Sequence, residues 1–540
     1  MTAEAAAPDA RSLARSSAVI GAGTLLSRVT GFLRVSALAA LGFGLVTDAY
    51  NLANSTPNIV YELLLGGILT ATLVPLFVKS VEESDPVASR AITSVSLALL
   101  FAGTVLGTVA APWIIDVYSG LAGTAHGAQG AAQQQLATEL LRWFMPQMLF
   151  YGVTALATAM LNARRRFAAA AFAPVLNNVV VIAALLAVAR VSTHTPTVRS
   201  VLDDPVLVLL LGLGTTAGVV AMALVLVPAV HRAGGDLRWH WEPRHPAVRR
   251  LARLSGWTVG YVAANQVAFL VVLVLAYRST GAVSVYLAAF TFYQLPHGLV
   301  AVSVMTALAP ELARSHQRGD LAMLRRHFAG GLRMIVLTMV PAALGLAVLA
   351  RPLIRALLDH GDFSAHDVAV TADTLRAFAV GLAAFSVYLY VVRTFTSMQN
   401  TRTPFMLNLV ENGTNIATAF ALWEWNGVVG LAWSWTIAYT VGAAVALLRL
   451  RTDLGGIEGR SVVDTLWRVL VALVPTALVA VGVDRIVGSG SLVAAGTDLV
   501  CAAIAASAVY ALTLHLLGIP IIRMFLDILR PSGRARPADA

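Results

Sequence analysis

Runs of about 20 consecutive apolar residues recur from one end of this chain to the other, and that is the length a helix needs to cross a bilayer's hydrocarbon core. Inside that core no water can satisfy backbone N–H and C=O groups, so a spanning segment must bond to itself or close into a barrel. Continuous apolar runs, as opposed to alternating ones, select the helix. Charged residues make up only 12% of the 540 residues, about half the roughly 25% that a water-solvated surface carries. The expectation is an all-α polytopic membrane protein of about fourteen transmembrane helices.

A net charge of +10 and a pI near 10.1 raise the question of nucleic acid, but the basic residues flank the apolar runs, as membrane-anchoring arginines do. No nucleic-acid partner is expected. All but Lys79 of the 38 basic residues are arginine. They gather in alternate loops: Lys79 and Arg90, Arg164 to Arg166, Arg232 to Arg253, Arg314 to Arg326, Arg449 to Arg460, and Arg530 to Arg536. The loops between, such as 119–135, are poor in Lys and Arg. By the positive-inside rule both termini face the cytoplasm and the protein sits multi-pass in a bacterial plasma membrane. Met1 to Asp9 has neither the basic start nor the short apolar core of a secretory signal. Cys501 is the single cysteine, so no internal disulfide is possible.

The chain also echoes itself. Met160, Asn162, Arg164, Phe167 and Asn177 recur 238 residues later as Met398, Asn400, Arg402, Phe405 and Asn415. Two pseudo-symmetric lobes of about six helices each follow, as in transporters that rock one lobe against the other. The expected division is a disordered N-terminus over 1–15, a first lobe over 16–231, a basic cytoplasmic linker over 232–254 and a second lobe over 255–450. Two further helices occupy 451–520, and a cytoplasmic tail 521–540.

An ionisable residue inside a span costs at least about 2.5–3.5 kcal/mol, so each one calls for a partner or a watery cavity. Arg28 and Arg34, six residues apart in SRVTGFLR, lie about 9 Å apart along an ideal helix and about 120° apart around it. Two guanidiniums in a low-dielectric cavity bind a diphosphate through bidentate hydrogen bonds; the alternative is that they snorkel to the interface. Asp48 is read as a helix cap or a partner of Arg34. Glu62 is a counter-ion to Arg28 or a protonatable coupling group, with Gly66 on the same face. Glu411, Arg376 and Asn415 are candidates for gating or coupling, Glu411 lying mid-span. His297 is read as a packing residue. GAGTLLSRVTG has no phosphate-loop spacing, and no metal-spaced His/Cys cluster or G-x-S-x-G is present. Neither cofactor nor metal is expected, and the chain reads as a transporter and not as an enzyme.

Six segments carry a resemblance: SRVTGFLR (27–34), TDAYNLANSTPN (47–58), LNARRRFAAAAFAPVLNN (161–178), YQLPHGLVAVSVMTALAPELAR (293–314), LIRALLDHGDFSAHDV (353–368) and VVRTFTSMQNTRTPFMLN (391–408). In this order they resemble the MurJ/MviN family of lipid II flippases, of the actinobacterial type, over roughly residues 15–450. The resemblance implies the fold of the multidrug/oligosaccharidyl-lipid/polysaccharide exporter superfamily. It also implies a cationic cavity between the lobes, and a groove for the polyprenyl tail formed by the last two helices. It places substrate-binding roles on Arg28, Arg34 and Asp48. The chain departs from better-studied members in having Tyr61 and Gly66 where they carry an arginine and a glutamate, with Glu62 next door, and no arginine around Thr291. Some actinobacterial relatives carry a pseudokinase-like extension, which is not seen before Ala540. The expected partners are lipid II or a related polyprenyl-diphosphate glycolipid, membrane lipids, a monovalent ion and cell-wall synthesis proteins. The rival readings are a flippase for another polyprenyl-linked glycan, a drug/cation antiporter, and a non-transporting scaffold for cell-wall synthesis.

Overall fold

The structure is a computed structural model that describes residues 10–63, 67–83, 85–124, 127–192, 194–254, 256–487 and 492–519. Its first helices are α1 (Ala10–Ala39), α2 (Leu45–Tyr61), α3 (Gly67–Glu82), α4 (Pro86–Ala122), α5 (Gly127–Phe144), α6 (Gln147–Ala163) and α7 (Ala168–Val191). There follow α8 (Val198–Asp203), α9 (Pro205–Arg232), α10 (Pro246–Leu254), α11 (Gly256–Ala276) and α12 (Ala282–Pro296). A π turn at His297–Ala301 then leads into α13 (Val302–Gln317). The remainder are α14 (Leu321–Val348), α15 (Ala350–Leu358), α16 (Ala365–Val380), α17 (Leu382–Ser397), α18 (Arg402–Leu454), α19 (Gly459–Val487) and α20 (Leu492–Leu516). The described residues form an all-α membrane fold.

Among the described residues ten helices are long and apolar enough to cross a membrane, or eleven if α16 and α17, bent by 46° at Gly381, count as one span. The fourteen apolar runs and these helices count differently for physical reasons. Helix α18 has 53 residues and would extend about 80 Å, well over twice the bilayer core. Its break at Asn426 and Gly427, where the backbone leaves helical geometry, divides it where the apolar runs 404–424 and 427–449 meet. Helix α1, which carries Arg28 and Arg34, is absent from the apolar set. The apolar pattern predicts one helix over 48–78; α2 and α3 lie within it, and residues 64–66 between them, including Gly66, lie outside the described residues.

Two compact units account for the packing. The first comprises Met1–Phe292, Leu358–Thr374 and Asn400–Ala438, and the second Tyr293–Leu357, Leu375–Gln399 and Tyr439–Ala540. In the first unit α1 lies along α7: Asn178 Nδ2 donates to Ser27 O at 3.1 Å and to Thr30 Oγ1 at 3.0 Å. A Cβ on Gly23 would come within 2.7 Å of the Ala171 Cβ, so the close approach depends on glycine there. Leu73, Phe77, Met148, Leu156 and Leu226 form the core of α3, α6 and α9. In the second unit Val336, Leu337, Val469, Ala472 and Tyr510 bind α14 to the α19–α20 pair, and Tyr510 donates to Leu337 O at 2.8 Å. Helix α1 starts at Ala10, inside the stretch expected to lack order; residues 1–9 and the tail from 520 lie outside the described residues.

The repeat appears in the backbone with a different register. Arg165 and Gln399 both have positive φ, 57° and 59°, and the helices that follow them start at Ala168 and Arg402. Both spacings are 234 residues, four short of the identity echo. Asn177 and Asn178 then correspond to Glu411 and Asn412.

The basic linker is pinned to the first unit. Arg90 grips the Asp236 carboxylate through Nε at 2.8 Å and through Nη2, and His240 N–H donates to Ser94 Oγ at 2.8 Å. The Arg238 N–H, then Arg90, hold the Asp236 carboxyl below the usual carboxylate range. A depressed folded-state pKa means that this tether is at full strength above about pH 4 and is lost as pH falls further through the folded value. Being partly exposed, it contributes under about 1 kcal/mol. Limited proteolysis across 236–245 is expected to quicken a few-fold on acidification below about pH 4, and Arg90→Ala should reduce that pH dependence. Acid-insensitive cleavage in the wild type would contradict the assignment.

Candidate functional site

Arg34, half-buried, lines a cavity of about 310 Å³ in the first unit, with Asn51, Asn54, Ser55, Asn178 and Thr291 around it. Nearby, Tyr151 lies against Tyr61 at a ring separation of 5.9 Å. The lining is rich in amide and hydroxyl groups, and among the described residues it contains no carboxylate. Arg34 can donate hydrogen bonds to an anion there, whereas Asn178 Nδ2 and the Thr291 hydroxyl already donate within the protein. Arg28 is exposed and is not part of this lining. The 120° rotation between positions 28 and 34 explains the separation. Among the described residues neither arginine forms an ion pair.

Asp48 meets neither of its expected partners. The start of α2 is served by Thr47, whose Oγ1 accepts from Gly44 N–H at 2.9 Å. The Asp48 carboxylate, only 1% exposed, reaches instead to the first turn of α12. It accepts from Gly281 N–H at 2.6 Å, from Ser284 N–H at 2.9 Å and from Ser284 Oγ at 2.7 Å. Asn51 Nδ2 adds a bond to Ser284 Oγ at 3.0 Å. The starts of α2 and α12 would otherwise bring two positive helix ends together, and one buried carboxylate between them offsets that repulsion while satisfying orphan amides. Asp48 thus ties the starts of α2 and α12 together and is not among the residues that line the Arg34 cavity.

The clasp continues around the α1–α2 turn. Asp362 N–H donates to Ala40 O at 3.0 Å, Ser36 Oγ meets His360 Nε2 at 3.3 Å, and Phe43 packs edge-on against Phe363 at 4.9 Å. Gly281 (φ +82) approaches Phe43 O so closely that a Cβ would lie 2.9 Å from it, so only glycine fits. Phe43 lines the Arg34 cavity on one side and, on the other, a cavity of about 460 Å³ shared with Arg199, Asp362 and Asp367. Phe43 thus lines both cavities. Gly281, Ser284, Asn51 and Phe43 were not singled out in the sequence; the Gly-x-x-Ser opening of α12 is the signal that marks the first two.

Glu62 closes α2 as its C-terminal cap, half-buried. It forms no ion pair with Arg28, so the expected counter-ion contact is not made. Glu411 is fully buried and neither carboxylate oxygen has a hydrogen-bond partner. Next to it on α18, Asn408 and Asn412 both donate to Asn265 Oδ1, at 3.0 and 3.1 Å. Asn415 Oδ1 accepts from Ser434 Oγ at 3.0 Å across the break in α18, which makes it a brace for that hairpin. Arg376 belongs to the second unit, where its Nε donates to Ala347 O at 3.2 Å. His297 bonds Ser386 Oγ through Nδ1 at 2.9 Å, a packing role as expected.

This geometry has relatives. The sequence profile of the family described as lipid II flippase MurJ matches residues 38–494. The chain belongs to the MurJ family. A probable lipid II flippase MurJ of Rhizobium meliloti (strain 1021) is 30% identical over 440 residues, covering 81% of both proteins. The lipid II flippase MurJ of Burkholderia cenocepacia is 31% identical over 439 residues, covering 79% of this chain and 81% of its own length. Among solved structures, a lipid II flippase MurJ in an inward closed conformation aligns with a TM-score of 0.73 at 21% identity, over 95% of this chain and 99% of that one. An inward-facing multidrug resistance MATE family transporter of the MOP superfamily aligns at 0.66 and 13% identity, over 79% and 95%. These likenesses establish the fold. Within this MurJ-family chain, Thr291, near the position where better-studied members carry an arginine, faces the cavity that Arg34 lines. Its hydroxyl is bound to Leu287 O at 2.8 Å.

Proposed function

We propose that the chain moves lipid II from the cytoplasmic to the outer leaflet by alternating access. The observation that carries this reading is a cavity whose one charged wall residue, among the described residues, is Arg34, bounded by Phe43 and by Ser284 of the Asp48 clasp. Both termini are cytoplasmic in this reading, residues 16–231 and 255–450 act as the two lobes, and fourteen crossings place the clasp at the outer face. Arg28, about 9 Å nearer the N-terminus, meets the diphosphate first and Arg34 receives it. Asp48 holds the outer end closed during loading, and the polyprenyl tail stays in the bilayer or against α19 and α20. An inside-negative potential drives an anion outward by about 2.3 kcal/mol per charge per 100 mV.

Glu411 is the proposed coupling group, because a buried carboxylate beside three asparagines can take up a proton or a monovalent cation. Glu411→Gln is expected to leave substrate binding within about twofold while removing the response of transport to an ion gradient. Unchanged gradient dependence in that variant would place coupling elsewhere. Complementation of a strain depleted of its own flippase separates the rival readings. Growth should be restored by the wild type and lost with Arg28→Ala/Arg34→Ala at equal expression. A scaffold would tolerate that double change, and a cation antiporter would depend on Glu411 and Glu62 instead.

A further inference from the structure

The run Arg164-Arg165-Arg166 plays no part in the cavity or the clasp. It sits where α6 turns into α7, and the turn is tightly built. Arg166 N–H bonds Leu161 O at 2.9 Å, Arg165 N–H bonds Asn162 O at 3.0 Å, and Arg165 occupies the left-handed region. This is the double bond pattern that ends a helix, usually with glycine at the left-handed site. Arg164 is engaged elsewhere: its guanidinium donates to Met160 O at 3.3 Å and to Gly234 O at 3.4 Å, tying the turn to the end of α9.

That tie frames a pocket of about 540 Å³. Arg165, Arg166 and Arg232 stand around it, Val19, Leu161 and Phe167 supply apolar wall, and no acidic residue takes part in the lining. Among the described residues none of the three arginines forms an ion pair. Arginines scattered at an inner surface satisfy the positive-inside rule without any pocket. Three guanidiniums around one concavity with an apolar wall are a different arrangement. Guanidinium forks match phosphate oxygens, and the apolar wall suits hydrocarbon attached to that phosphate.

We propose that this pocket binds the phosphate of a membrane lipid, with Arg165, Arg166 and Arg232 as ligands to the headgroup and Val19, Leu161 and Phe167 against the first segment of its chain. The site joins α1, the α6–α7 turn and the end of α9, and is separate from the cavity lined by Arg34.

The test uses the full-length protein carrying Arg165→Gln, Arg166→Gln and Arg232→Gln together. A control variant carries Arg244→Gln, Arg249→Gln and Arg318→Gln, which removes the same charge from exposed positions outside the pocket. Retention of phosphatidylglycerol, of a polyprenyl diphosphate and of inorganic phosphate is measured by native mass spectrometry after titration from detergent micelles. Thermal unfolding reports whether each variant is folded, and single substitutions replace the triple one if it is not. The expected result is retention of one or both phosphate lipids by the wild type and the control, weakened at least about tenfold in the pocket variant. Inorganic phosphate should bind far more weakly than either lipid. The two lipid arms tell a bulk phospholipid from a polyprenyl-linked one. Equal loss in the control, no loss in the pocket variant, or inorganic phosphate binding as tightly as the lipids would each overturn the proposal.

Discussion

Replacing Arg34 by alanine is expected to lower affinity for a polyprenyl-diphosphate glycolipid by two to three orders of magnitude while leaving the protein folded. Among the described residues Arg34 is the one charged residue in the wall of its cavity, and a charge-assisted hydrogen bond in such a place is worth about 1.5–3 kcal/mol. A bidentate pair therefore stands for about 3–5 kcal/mol, and each 1.4 kcal/mol is tenfold. Stability should hold, because Arg34 makes no ion pair whose loss would strand a carboxylate. Arg34→Lys keeps the charge but not the fork, and should recover only part of the affinity. The measurement is a binding titration in detergent with thermal unfolding in parallel. Full affinity in a well-folded Arg34→Ala protein would remove the diphosphate from this cavity.

The second large effect is expected at Asp48. Alanine there leaves Gly281 N–H, Ser284 N–H and Ser284 Oγ without their acceptor, at about 1–3 kcal/mol for each buried donor. Opening that end of the cavity restores their access to water, so the loss falls on the closed state. A shift of only about 3 kcal/mol changes the ratio of closed to open molecules more than a hundredfold. Cys501, exposed and the one native cysteine, can be replaced by serine to give a silent background. A cysteine at Ser55, which lines the Arg34 cavity, then reports access to a membrane-impermeant thiol reagent added outside. Labelling should be slow with Asp48 and at least about tenfold faster with Asp48→Ala. Asp48→Asn should fall between the two, because its amide keeps one acceptor oxygen and places a donor opposite another donor. Equal labelling in all three proteins would mean that the carboxylate does not hold this end shut.

Much of this architecture could be read before any coordinates. Apolar length gave the class. The residues of helix α1 could also be sorted, since a six-residue spacing cannot put Arg28 and Arg34 on one narrow face. What escaped was whatever depends on polar helices or distant partners. Residues 127–135, expected to be a loop, begin α5: alanine and glutamine favour helix but lack the apolarity used to find spans. One of them, Gln133, is buried and donates to Leu45 O at 3.3 Å. Asp48 carries no local sign that its acceptor oxygens serve amides more than two hundred residues away. The identity echo spaces its residues by 238, whereas the matching positive-φ residues and helix starts are 234 apart.

The central proposal is that the folded protein carries lipid II across a bilayer through the cavity that Arg34 lines. The direct measurement is leaflet accessibility of lipid II in proteoliposomes, comparing empty vesicles, the wild type and Arg34→Ala. Lipid II should exchange between leaflets with the wild-type protein and remain where it was placed with the variant and in empty vesicles. Exchange at the wild-type rate with Arg34→Ala, or none with a folded and correctly inserted wild type, would contradict it.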